Sequence, residues 1–134
     1  IHLEVPALHP TELMTTGSQP AESSAVIRER TVQAREVQLR RFQNGGVGNL
    51  AACCRIFANA QMSQKQIKEF CPLSGEAREL LHRAVEELGF SARAYDKILK
   101  VSRTIADLEG SEEILIDHIA EAIQYRCLDR REGY

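Results

Sequence analysis

Arg93 has the strongest claim to chemistry in this sequence. It stands in S-A-R-A-Y-D-K, at the head of a periodic stretch from Phe90 to Gly110. The spacing predicts one helix there. Ser91 can cap its start, because a serine oxygen accepts from an unpaired first-turn amide. Gly110 can stop it, because glycine tolerates the left-handed conformation that ends helices. Arg93 then falls in the first turn, where the helix dipole is positive and a cation costs about 0.3–1 kcal/mol at an exposed site. An anion is welcome at the same place, since free amides point outward. An arginine beside a helix start can therefore clamp a phosphate, and a broken local rule is where function is sought. The alternative is a surface arginine that leans away into solvent, and the residues alone leave both readings open.

The other reactive side chains form no pattern. Cys53, Cys54, Cys71 and Cys127 contain no C-x-x-C pair, which suits neither a structural zinc nor a redox motif. They read as reduced thiols of a cytosolic protein. His2, His9, His82 and His118 lack partner spacing and read as surface or partly buried residues. Q-N-G-G-V-G-N at 43–49 follows no strand and precedes no G-K-[ST], so it reads as a loop rather than a phosphate cradle. No nucleophile–base pair, paired carboxylates or metal cluster stands out. From its residues the chain is not an enzyme on its own, and it binds no cofactor alone.

The 134 residues, 43% hydrophobic and 27% charged, suffice for one globular domain with a core. A net charge of −2 gives no global attraction to nucleic acid or anionic membrane, so any such binding needs a local patch. No apolar run approaches the roughly 20 residues that span a bilayer. The start lacks a Met, and the chain is expected to be an excised piece of a longer one.

The elements that would hold Arg93 are helical. Ile1, Leu3 and Val5 alternate with polar residues as a strand would, ended by Pro6. Residues 7–22 read as a linker. A helix from Ser23 or Ser24 to about Phe42 has a ragged apolar face of Val26, Ala34, Val37 and Phe42. Its arginines, Arg28, Arg30, Arg35, Arg40 and Arg41, alternate with Glu29 and Glu36. That mixture reads as a solvated, ion-paired face, with nucleic-acid contact as the alternative. Leu50–Phe57 is a short apolar stretch. Ser63 with Gln66 forms a capping box for a short helix to about Cys71. Ser74 caps another, with Ala77, Leu80, Leu81, Ala84, Val85 and Leu88 on one stripe and Gly89 at its end. This helix is expected to lie antiparallel to the 91–110 helix. In the latter, Ala94, Tyr95, Ile98, Leu99, Ser102, Ile105 and Ala106 face inward. Arg93, Lys97 and Lys100 face outward, with Arg103 at the border. Asp117 can cap a last helix to about Leu128, with Ile119, Ala120 and Ile123 inward. The fold class is all-α, a helical bundle of about five helices, with residues 1–22 as a strand and linker and 23–134 as the helical domain.

S-A-R-A-Y-D-K-I-L-K-V-S-R-T-I-A-D-L-E-G, followed by H-I-A-E-A-I-Q-Y-R, resembles the C-terminal part of the magnesium-chelatase-like ATPases of the ComM/YifB type. The earlier segments E-V-P, S-S-A-V-I-R-E-R and N-A-Q-M are similar to the same family in the same order. The resemblance covers nearly the whole chain. It implies an AAA+ lid that closes over ATP with Mg held by a core domain of the same parent chain. Residues 1–22 would be the last core strand and linker, and 23–134 the lid. Walker A, Walker B and the arginine finger would lie before Ile1. Arg93 occupies the position of the sensor-2 arginine, which implies a catalytic and ATP phosphate-binding role in the parent. The resemblance further implies a bacterial cytoplasmic, ring-forming homo-oligomer, a hexamer, packed against neighbouring subunits. The parent would act on DNA as a branch-migration motor in natural transformation. The alternative is a stand-alone helical module for DNA binding or oligomerisation.

Overall fold

The computed structural model describes residues 22–44 and 56–126, together with Ile1, Leu3, Val5 and Ala7. Among the described residues five helices follow one another: α1 (Ser24–Asn44), α2 (Gln64–Phe70), α3 (Gly75–Leu88), α4 (Ala92–Glu109) and α5 (Ile116–Gln124), with a 3-10 turn, Asn59–Gln61, before α2. The described residues contain no strand, so the all-α bundle of five helices stands. The alternating segment 1–5 falls partly outside the described residues; Ile1, Leu3 and Val5 are exposed. The stretch 45–55 and the expected end of the last helix near Leu128 also lie outside them.

Local chemistry sets the helix ends. Ser74 Oγ accepts from the Ala77 amide at 3.3 Å, and Ser91 Oγ accepts from Ala94 at 3.3 Å. Gly89 and Gly110 close α3 and α4 in the left-handed conformation at φ 64° and 74°. Gln66 Oε1 accepts from the Ser63 amide at 2.8 Å, completing the expected capping box. The last helix departs from expectation. Its N-cap is Leu115, not Asp117, and Asp117 sits inside the first turn. The His118 ring does the capping work instead: its Nδ1 accepts from the Leu115 amide at 2.9 Å.

The bundle is built around α4, which packs against α1, the 3-10 turn, α2 and α5. Ile98 and Ala106 are completely buried, alongside Ala77, Ile114, Ile119 and Ala122, with Leu81 1% exposed. Phe42 and Phe70 meet edge to face at 5.7 Å, joining α1 to α2. The expected antiparallel pairing of α3 with α4 is not what forms. α3 packs on α5, and so does α4; the turn at Gly89 carries the chain away, and α5 takes the place between them. One isolated parallel bridge, Leu73 to Ile114, ties the entry of α3 to the entry of α5. Its bonds run from the Ser74 amide to Ile114 O at 3.2 Å and from the Ile114 amide to Pro72 O at 3.1 Å.

Four side chains expected inward differ. Tyr95 is exposed, at the edge of the α4 stripe. Val26 is exposed too, because α1 is buried only at Ala34, Gln38 and Phe42. On α5, Ala122 with Ile119 is fully buried, while Ala120 and Ile123 are half-buried.

Candidate functional site

α4 presents its first turn to solvent. Arg93 is exposed and makes no ion pair or side-chain hydrogen bond among the described residues. Ser91 satisfies the third-position amide of the helix, and its carbonyl takes the Tyr95 amide at 3.0 Å. The amides of Ala92 and Arg93 take no acceptor among the described residues, so two donors and a guanidinium sit together at the positive end of an 18-residue helix. The nearest acid on the helix, Asp96, accepts instead from Gln64 Nε2 at 3.4 Å. Arg93 is therefore a permanent cation with its fork open to solvent. Such a group can bind an anion bidentately.

The rest of the expected basic face divides. Lys97 is exposed and, among the described residues, unpaired. Lys100 is half-buried and donates to Ala60 O at 3.0 Å, holding the 3-10 turn. Arg103 does not border a wet face. It is 2% exposed and donates through Nε to Asp107 Oδ1 at 3.0 Å, with its two terminal nitrogens bonded to Glu112 O at 2.7 Å and Ser111 O at 2.5 Å. The polar stripe on α4 turns inward here because Asp107, one turn on, supplies the counter-charge and the following loop supplies carbonyls.

Asp107 is the centre of a second polar cluster that the sequence reading did not find. Its side chain is fully buried and is bracketed by Arg103 from α4 and Arg41 from α1. Arg41 grips both carboxylate oxygens and also donates to Asn59 Oδ1 at 3.1 Å, while Asn59 Nδ2 donates to Asp107 Oδ2 at 2.8 Å and to Thr104 Oγ1 at 3.1 Å. Arg41 thus belongs to a buried joint rather than to the solvated face of α1. The i, i+4 spacing of Arg103 and Asp107 was a readable signal; Arg41, far away in sequence, was not.

Electrostatics follow from this cluster. Burial pulls the Arg103 guanidinium below its ordinary value, and neighbouring Asp107 pushes it back up. Burial also pushes the Cys71 thiol up to about 11, against the pull of Arg103 and Arg41. Cys71 is therefore a neutral core group. His118, 1% exposed, is a core residue rather than a surface one, and its Nε2 lies 2.8 Å from Glu109 Oε2. With Nδ1 accepting from the Leu115 amide, the neutral ring carries its proton on Nε2 and donates to Glu109. Among the described residues no group of three or more His, Cys, Asp or Glu could hold a metal ion. No described helix is long and apolar enough to cross a membrane.

The described residues form a helical bundle with an exposed arginine at the start of α4. Comparison with known proteins names its family. Residues 21–126 match the model described as magnesium chelatase, subunit ChlI C-terminal. The chain belongs to that family, and its sequence is of the ComM/YifB type. It is 39% identical over 130 residues to the competence protein ComM of Haemophilus influenzae and 37% identical over 130 residues to the YifB protein of Escherichia coli, covering 97% of this chain in each case. A YifB protein of Salmonella typhimurium is 33% identical over the same length. The chain spans 23% of the length of each of these relatives.

Proposed function

We propose that this chain is the helical lid of an AAA+ ATPase, in which Arg93 reaches the β- or γ-phosphate of ATP bound with Mg by a core domain of the parent protein. The observation that carries the reading is the open, unpaired guanidinium at the amide-rich start of α4. The residues present fit the group: a polyphosphate seeks amide donors and a forked cation, and no carboxylate competes for Arg93 among the described residues. ATP would supply the phosphoryl group to be transferred. Arg93 would bind and orient its terminal oxygens and favour the charge that builds there. Because Arg93 rides on the central helix of the bundle, holding a phosphate would fix the position of the whole lid.

The parent protein is proposed to form a homo-oligomeric ring, packed through neighbouring subunits, in the bacterial cytoplasm. The name of the Haemophilus relative supports a link to competence. On that basis the parent is proposed to process DNA during natural transformation, as a branch-migration motor. The test is nucleotide binding by the full-length protein: Arg93→Ala is expected to weaken ATP affinity while leaving the melting temperature unchanged. Unchanged affinity and unchanged turnover would remove the assignment. A salt-dependent DNA complex formed by this chain alone would favour the stand-alone binding module instead.

A further inference from the structure

A groove of about 460 Å3 runs between α2 and α4 and opens at the entry of α3. Ile67 and Leu99 give it apolar walls, and Tyr95 lines it too. Asp96, a carboxylate of its lining, already accepts from Gln64 Nε2 at 3.4 Å. Two cations of the lining are open. Lys68 and Arg78 are exposed and make no ion pair or side-chain hydrogen bond among the described residues. The groove thus combines apolar contact with two unspent positive charges.

The turn that follows α4 lies beside this groove. Leu73, from the groove wall, forms the parallel bridge to Ile114, and Glu112 and Glu113 come immediately before Ile114. The backbone of the turn is held: Arg103 donates to Glu112 O at 2.7 Å, and Ser111 Oγ donates to Glu113 O at 2.7 Å. Both carboxylates are exposed and take no donor among the described residues. Leu115, just beyond the bridge, is 44% exposed. Arg103 ties the turn back to α4, so its acids do not swing into the groove of their own chain.

We propose that the groove receives the Glu112–Glu113 turn of a second copy of this chain, and that the second copy's groove receives the first copy's turn. A basic groove and an acidic knob side by side make a self-complementary surface, which a two-fold axis satisfies twice. Tyr95 and Arg78 are residue types enriched in such contacts. A nucleic-acid phosphate fits the groove less well. It uses the two cations but leaves the apolar walls uncovered, and it meets the carboxylates of the turn as like charges. The two-fold contact closes on itself, so it pairs two chains and leaves a ring to other surfaces. Arg93 is not part of the groove, so the pairing does not rest on what Arg93 binds.

Sedimentation equilibrium on the 134-residue chain tests it. At low salt the mass is expected to rise with concentration from that of one chain toward that of two, and to fall back as salt screens the exposed charges. Two charge-swapped variants carry the decision, the groove variant Lys68→Glu/Arg78→Glu and the turn variant Glu112→Lys/Glu113→Lys. Each alone should stay at the mass of one chain with an unchanged melting temperature, and an equal mixture of the two should form a one-to-one dimer. A parental chain that stays at the mass of one overturns the pairing, as does a dimer that both variants leave intact or a mixture that does not associate. Growth past two chains gives an open head-to-tail contact and overturns the two-fold one. A chain of single mass whose salt-dependent DNA complex is lost only in the groove variant gives the groove to phosphate and overturns it equally.

Discussion

Asp107 brings two guanidinium groups into a buried volume that a single carboxylate must balance. Arg41 and Arg103 both bond to it, Asn59 also accepts from Arg41, and the carbonyls of Ser111 and Glu112 accept from Arg103. Removing one member of such a cluster leaves uncompensated buried charge, which costs about 3–5 kcal/mol. Asp107→Ala is expected to lose that much in urea denaturation, whereas Lys97→Ala, at an exposed position, should stay within about 0.5 kcal/mol. Cys71 gives a prediction of a different kind. Its folded-state pKa, about 11, lies above the ordinary 9.0. The stability from keeping the thiol neutral is therefore complete below about pH 9 and is lost as pH rises toward about 11. At neutral pH the native thiol should react with a disulfide reagent far more slowly than the same thiol in denaturant. Cys71→Ser should remove its share of the alkaline loss in a stability-versus-pH series. The exposed first-turn place of Arg93 was legible in the sequence, because Ser91 marks where the helix starts. Arg103 was misread because a wheel places a residue by angle and does not see which loop carbonyls will reach over it.

At the scale of elements, caps and stripes carried most of the information. Ser74, Ser91, Gly89 and Gly110 end α3 and α4 where their chemistry requires, because capping is local and needs no tertiary partner. α5 was less readable. Its N-cap is Leu115, whose amide is taken by a buried histidine at the third helical position, a role usually filled by Glu or Gln, and Glu109 from another helix holds the opposite ring nitrogen. His118→Ala is expected to cost about 1–3 kcal/mol, since it removes a buried ring and leaves the part-buried Leu115 amide without its acceptor, and to speed amide exchange at the start of α5. Equal exchange in both proteins would show that the ring does not cap. Helix pairing was not readable either. The short connection between α3 and α4 suggested that they pack together, yet both turn to α5. The two stripes nevertheless went inward apart from Tyr95, because burial of a stripe does not specify its partner. Leu81, 1% exposed, is expected to cost about 2–5 kcal/mol on truncation to Ala, measured as a loss in thermal or urea stability.

For the whole molecule, a magnesium-chelatase ChlI C-terminal family match over residues 21–126 and an all-α bundle agree with what the sequence implied. The activity proposed for the parent rests on resemblance alone, because this chain covers 23% of the relatives' length. By itself the chain is expected neither to hydrolyse ATP nor to bind it tightly, since one arginine and a helix start lack the lysine-bearing loop that cradles a triphosphate. Sustained phosphate release by the purified chain would contradict that expectation. The decisive measurement is ATP turnover by the full-length protein carrying Arg93→Ala, with Lys97→Ala as the control and melting curves recorded for both. Turnover should fall about tenfold or more for Arg93→Ala, the loss expected on removing a donor to developing charge, with an unchanged melting temperature and near-parental turnover for Lys97→Ala. Parental turnover and parental ATP affinity in the Arg93→Ala protein would contradict the sensor role of α4.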